Sequence, residues 1–182
     1  FLASVVVMQV AYAAESGQQA PPPMLLERSS PLGFDETLAR IGGRATVLVA
    51  DAGTPADWWD GTPFDAVLLD APCSGSGVIR RHPDIKLLRR AGDIARLAAQ
   101  QSALLEAMWP LLSAGGMLLY TTCSILAEEN AQQVGRFLSA HADNAECPAI
   151  DVPWGRACSH GRQLLSGDDD MDGFYFACMR KA

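Results

Sequence analysis

Two cysteines close two apolar runs. In FDAVLLDAPCSGSG the run ends on Asp70 and Pro72 before Cys73, and in GGMLLYTTCS a second run ends on Cys123, with a serine after each thiol. A thiolate is a strong nucleophile, and it forms where the side chain is partly exposed in an electropositive setting. A cysteine ending a single strand is often only a small buried apolar residue. Two of them, on two strands of one sheet, aim thiol chemistry at one place. Just after Cys73, RRHPDIKLLRR (80–90) sets Arg80, Arg81, Lys86, Arg89 and Arg90 against the lone Asp84. Such a cluster can draw in a polyanion, and the alternative reading is a solvated helix start.

The elements that position these groups follow from pattern. Residues 34–41 (FDETLARI) have helical spacing and stop at Gly42–Gly43. ATVLVADA (45–52) is a strand run ending in Asp51, and TPADWWDGTP (54–63) is turn-rich. FDAVLLDAP (64–72) reads as a strand covered on both faces, because apolar residues run on with little alternation. Residues 93–112 predict a long amphipathic helix with Leu97, Leu104, Leu105, Met108 and Leu111 on one face, kinked or ended by Pro110. Asp93 suits its dipole-positive end. A third strand follows at 117–124, a helix at 126–141 with Glu128 and Glu129 in its first turn, and a last strand within 171–181. Strands alternating with helices predict a mostly parallel α/β sheet whose working groups gather at the carboxyl ends of its strands. Asp51, Asp70 with Cys73, and Cys123 with Ser124 all fall there.

Composition bounds the rest. The chain has 182 residues, 49% hydrophobic and 19% charged, which suits one globular domain. A net charge of −7 argues against coating nucleic acid with the whole surface and leaves room for a local basic site. Five cysteines at long, irregular spacings imply neither a disulfide framework nor a zinc site, and Cys158 with His160 lacks further ligands. Reduced thiols in a cytoplasmic protein are the simpler account. FLASVVVMQVAYAAES resembles the later part of a signal peptide but has no basic leader and is too short to span a bilayer. VVVMQV reads equally as a buried strand, and SGQQAPPP as a linker.

A thiolate beside basic residues fits a pyrimidine carried on a phosphate backbone. Carbon 5 of cytosine is a poor nucleophile. A thiolate added at carbon 6 makes the ring an enamine that attacks a methyl donor through carbon 5, after which the carbon-5 proton must leave for the thiol to depart. LLDAPCSGSGVIRRHPDIK, LLYTTCSILAEEN and MDGFYFACMRK, in that order, resemble the bacterial 16S ribosomal RNA cytosine-5 methyltransferases of the Sun/Fmu type over about residues 34–182. The resemblance implies a Rossmann-like methyltransferase fold, S-adenosyl-L-methionine as cofactor, and 16S-type ribosomal RNA as partner, with neither metal nor membrane. It also implies that Cys123 attacks carbon 6, that Cys73 assists product release and that Asp70 contacts the pyrimidine edge. Pro72 would shape the pocket and, with Asp70, border the donor, while Asp51 would lie near the donor's adenine. Arg80, Arg81, Lys86, Arg89 and Arg90 would meet RNA.

The sequence departs from that pattern at its start. The family opens its catalytic domain with a glycine-rich strand–turn–helix and then a strand ending in an acid for the donor's ribose. Neither is evident before Phe34. The expectation is an atypical apolar segment and Pro-rich linker over 1–33, and a partial catalytic domain over 34–182 with its first strands missing. Then either VVVMQV fills part of the gap, or the strands at 45–50 and 64–69 meet directly, or the chain is an incomplete form unable to bind donor. The competing class is a non-catalytic RNA-binding remnant. An amino-group methyltransferase is disfavoured, because DAPC lacks the aromatic that such enzymes place at this strand end. A cysteine hydrolase is disfavoured because His82, His141 and His160 show no partner relation to either thiol.

Overall fold

The computed structural model describes residues 24–27 and 46–182. The helix expected at 34–41 and the strand alternative VVVMQV lie outside the described residues.

Two parallel pairs of strands belong to two sheets, one of two strands and one of six. β1 (Met24–Glu27) pairs with β2 (Thr46–Val49), and β3 (Phe64–Asp70) pairs with β4 (Leu112–Thr122). β4 then pairs antiparallel with β8 (Phe174–Lys181), and β8 carries β7 (Arg162–Leu164) and the two-residue β5 (Ala145–Glu146). β6 (Arg156–Ala157) closes the far edge on β7. The parallel pairs match expectation, and the six-stranded sheet is mixed because the final strand turns back.

β1 corrects the reading of the first residues. A stretch assigned to linker forms a strand, and that strand ends in an acid, Glu27. Nor do the strands at 45–50 and 64–69 meet: β2 pairs with β1, and β3 with β4. Four residues wedged between three prolines and a polar stretch are too few to give a periodic signal.

Alternation explains the packing of the main sheet. Val67 and Leu69 of β3, Leu118 and Tyr120 of β4, and Tyr175, Ala177 and Met179 of β8 are buried together. After the one-turn α1 (Ile85–Leu88), α2 (Ala91–Met108) lies against them through Leu104, Leu105 and Met108, and α3 (Ala131–Ala140) through Val134 and Phe137. α2 starts where the Asp93 carboxylate accepts from the Arg90 N–H, and it gives way at Pro110 to a 3-10 turn, Trp109–Leu111. Trp109 meets Phe137 edge to face at 5.2 Å, locking α2's end to α3.

Several predicted boundaries shift. β4 begins at Leu112, well before the expected 117. The last helix begins at Ala131, so Glu128 and Glu129 sit in the preceding turn, outside its first helical turn. The strand within 171–181 begins at Phe174.

Candidate active site

Register brings the two thiols together. The β3–β4 pairing runs through Asp70↔Thr121, and one further bond, from the Ala71 N–H to the Thr121 carbonyl at 2.9 Å, carries it past the strand end. Cys73 and Cys123 therefore leave adjacent parallel strands side by side, with Sγ atoms 3.3 Å apart. Either thiol can donate across this contact. That hydrogen bond is the main reason the Cys123 thiol is pulled below its ordinary value, against burial and the nearby Asp70 charge. The same bond, with burial, pushes Cys73 far up. The pair is thus unequal, with Cys123 the more acidic thiol.

The loop after Cys73 folds back across this pair. The Gly77 N–H donates to the Cys123 carbonyl and the Gly173 N–H to the Gly77 carbonyl, each at 2.9 Å. Only glycines permit this approach, because a Cβ on Gly77 would lie 2.0 Å from the Gly173 oxygen. The MDG turn before β8 is therefore part of the thiol site, which explains why the chain's last motif belongs with its two cysteine motifs.

A buried polar cluster underlies both loops. The Glu129 carboxylate, wholly buried, accepts from the Ser74 N–H at 2.8 Å, the Ser74 hydroxyl at 2.6 Å, the Ser124 hydroxyl at 2.5 Å and the Gln101 amide at 3.2 Å. Gln101 also donates to the Pro72 carbonyl at 2.8 Å. Asn130 donates to the Ser124 carbonyl at 2.9 Å and accepts from the Thr122 hydroxyl at 2.6 Å. The sequence reading missed Glu129, Gln101 and Asn130. The serine after each cysteine was their one visible sign.

The remaining expected residues fall in distinct places. Asp70 ends β3 beside the thiols, exposed, and crowding by surrounding protein raises its carboxyl. Pro72 is buried, with its carbonyl held by Gln101, so it shapes the loop from within. Asp51 is exposed beyond the end of β2; its carboxylate accepts from the Gly53 N–H at 2.9 Å, and its carbonyl accepts from the Trp58 indole at 3.0 Å.

The basic cluster divides. Arg81 pairs with the buried Asp172 at 2.6 Å, and Arg80 donates to the Asp170 carbonyl at 2.5 Å. The Arg89 guanidinium turns inward and donates to the Ser74 carbonyl at 2.7 Å and the Cys73 carbonyl at 3.2 Å. Arg89 thus holds the thiol loop. Lys86 and Arg90 are exposed. Among the described residues no cluster of potential ligands for a metal ion occurs, and no helix is long and apolar enough to cross a membrane.

The parallel α/β core with acids and a thiol pair at its strand mouths has a methyltransferase fold. The chain belongs to the 16S rRNA methyltransferase RsmB/F family, whose pattern matches residues 29–180. It is 51% identical over 146 residues to ribosomal RNA small subunit methyltransferase B of Vibrio vulnificus, covering 80% of this chain and 33% of that protein. To the protein of the same name from Pseudomonas syringae pv. tomato it is 50% identical over 150 residues, covering 80% and 34%. The chain thus spans about a third of the length of these curated relatives. Among solved structures it is similar to NSun6 from Pyrococcus horikoshii with SFG, at TM-score 0.74 and 25% identity over 87% of this chain and 41% of that one. A methyltransferase homolog protein from Pyrococcus horikoshii aligns at TM-score 0.64 and 27% identity, over 81% and 48%.

Proposed function

We propose that this domain serves methylation of carbon 5 of a cytosine in 16S-type ribosomal RNA, through a covalent adduct to Cys123. The observation that carries the reading is the pair of thiols of Cys73 and Cys123, 3.3 Å apart at the ends of adjacent strands. A thiolate stabilised by a neutral neighbour can add to carbon 6, forming a sulfur–carbon bond and leaving carbon 5 electron-rich. Carbon 5 then takes the donor's methyl group, its proton passes to a water molecule, and the sulfur–carbon bond breaks to return the Cys123 thiolate. Cys73 reaches the same sulfur and assists its departure. Asp70, with its carboxyl raised, keeps a proton more readily than an ordinary aspartate and can offer it to the pyrimidine edge.

The residues at the strand mouths suit S-adenosylmethionine, a cationic sulfonium carrying an adenosyl group. The exposed Asp51 and Asp70 follow β2 and end β3, and Glu27 ends β1 opposite Val49 of β2. Asp51 would meet the adenine end and Asp70 the reacting end, with Pro72 shaping the wall between. The donor supplies an electrophilic methyl group. RNA phosphates would meet Lys86 and Arg90, with Arg80 and Arg81 at the rim. Such a site belongs in the cytoplasm, where ribosomal RNA is processed.

RNA containing 5-fluorocytosine tests the reading, because fluorine at carbon 5 blocks proton loss and traps the adduct. With S-adenosylmethionine present, the chain should become covalently joined to such RNA through Cys123, and Cys123→Ala should not. An adduct that survives in Cys123→Ala would overturn the assignment. Replacing Lys86 and Arg90 with Ala should lower the salt slope of RNA binding by about 0.7 per lost phosphate contact.

A further inference from the structure

The thiol pair exists only because two loops from different strands are held at one separation, and one carboxylate touches both. We infer that Glu129 is the positioning residue that sets the Cys73–Cys123 geometry, a role that rests on the thiol-pair reading above. Its carboxylate accepts from the backbone and hydroxyl of Ser74, next to Cys73, and from the hydroxyl of Ser124, next to Cys123. Gln101 anchors it from α2, and Gln101's second bond, to Pro72, reaches the same loop one residue before Cys73.

The carboxylate is an unlikely thing to bury for packing alone. An ionised carboxyl taken out of water costs several kcal/mol unless several donors meet it. Here the protein supplies four. Three of them come from the serines that follow the two cysteines, so the charge is solvated by the segments it must align. Its charge also opposes a thiolate: it pushes both thiols upward, as the smallest contribution at each. A residue that merely activated the nucleophile would carry the other sign. Glu129 therefore acts through geometry, keeping Cys73 where its proton can stabilise Cys123. Ser74 and Ser124 also lie within hydrogen-bond distance of one another, at 3.3 Å, so the clamp closes into a ring beneath the thiols. Glu128, its chain neighbour, is exposed and serves as an internal contrast.

The test reads thiol geometry without RNA or methyl donor. The full chain is treated with limiting diamide, which takes two hydrogens from a thiol pair and leaves a disulfide and a hydrazine. The Cys73–Cys123 disulfide is counted by peptide mass. Oriented groups react far faster than freely diffusing ones, so the parent should pair rapidly, and Glu129→Ala should slow pairing by about tenfold. Glu129→Gln keeps the shape and one carbonyl acceptor, and should slow it by about threefold. Ser124→Ala, which removes one arm of the clamp, should fall between parent and Glu129→Ala. Val134→Ala on α3 controls for general loosening: it should lower the melting temperature and leave the pairing rate unchanged. If Glu129→Ala does not fold, Glu129→Gln and Ser124→Ala decide the matter. Parental pairing rates in the folded Glu129 and Ser124 variants would overturn the inference. So would equal slowing in Val134→Ala. Loss of the fluorocytosine adduct with pairing intact would instead count against the proposed reaction and leave the clamp standing.

Discussion

The strand ends of the two sheets are built in opposite ways. On the thiol side, the bonds that fix Cys73 and Cys123 join residues far apart in sequence: Ser74 with Glu129, Gln101 with Pro72, Gly77 with Cys123 and Gly173. On the Asp51 side, among the described residues, the bonds around the acid come from within seven residues: Gly53, Thr54 and Trp58. The first arrangement exists only when the whole domain has folded. The second is a turn that the local chain can form for itself. A nucleophile needs its partner placed to a fraction of an ångström, and long-range staples supply that. An acid that greets a bound nucleoside needs only to be presented.

The contrast is sharpest at Gly77. An alanine there would put its Cβ 2.0 Å from the Gly173 carbonyl oxygen, backbone against backbone with no flexible side chain to yield. Gly77→Ala should destabilise the domain by about 3 kcal/mol or more, at the upper end for overpacking. Urea unfolding measures this. A loss below about 1 kcal/mol would mean that the two loops separate freely and the thiol side is less tightly stapled than described.

The two sides also differed in how legible they were. The strand ends carrying Asp51, Asp70, Cys73 and Cys123 stood out, because an apolar run closing on a polar residue is a short, local signal. Pro110 ending α2 and the strand within 171–181 were legible for the same reason. Glu129 was not. It follows Glu128 directly, and two adjacent glutamates near a helix start look alike until tertiary packing buries one and exposes the other. Arg89 was hidden in the same way, as one arginine among five basic residues whose inward turn depends on carbonyls of a distant loop. Met24–Glu27 was hidden by its flanking prolines, and its pairing with β2 is again a long-range fact.

Asn130 offers the next break. It links the Ser124 carbonyl, the Thr122 hydroxyl and the Gln163 amide in a buried position. Asn130→Ala leaves several of these partners unsatisfied and should cost about 2 kcal/mol. It should also slow diamide pairing of the thiols, since Ser124 loses a support. Trp58→Phe on the other side removes one indole bond to the Asp51 carbonyl and should cost about 1 kcal/mol. Its pairing rate should match the parent. Slowed pairing in Trp58→Phe would erase the distinction between the two sides.

The smallest effect expected is at Asp70, which stands between them. Burial of surrounding surface raises its carboxyl above the usual aspartate value of 3.8, although the side chain reaches solvent. A carboxyl whose folded pKa lies above its unfolded one favours the folded state when protonated. That contribution is fully present below the unfolded pKa and is lost as pH rises through the folded one. At neutral pH the ionised Asp70 therefore opposes folding slightly, and solvent screening at an exposed site limits the cost to about 0.5 kcal/mol or less. Asp70→Asn should melt slightly higher than the parent at pH 7, with the difference vanishing as pH falls below the ordinary aspartate value of 3.8. Melting curves across that range read the sign directly. A difference that grows as pH falls would show that the carboxylate is stabilised in the fold, and Asp70 would lose its claim to hold a proton for a pyrimidine. If the sign holds, the protein keeps a carboxylate that costs it stability at the point where the two sides meet, which is where a reacting base would need a proton donor.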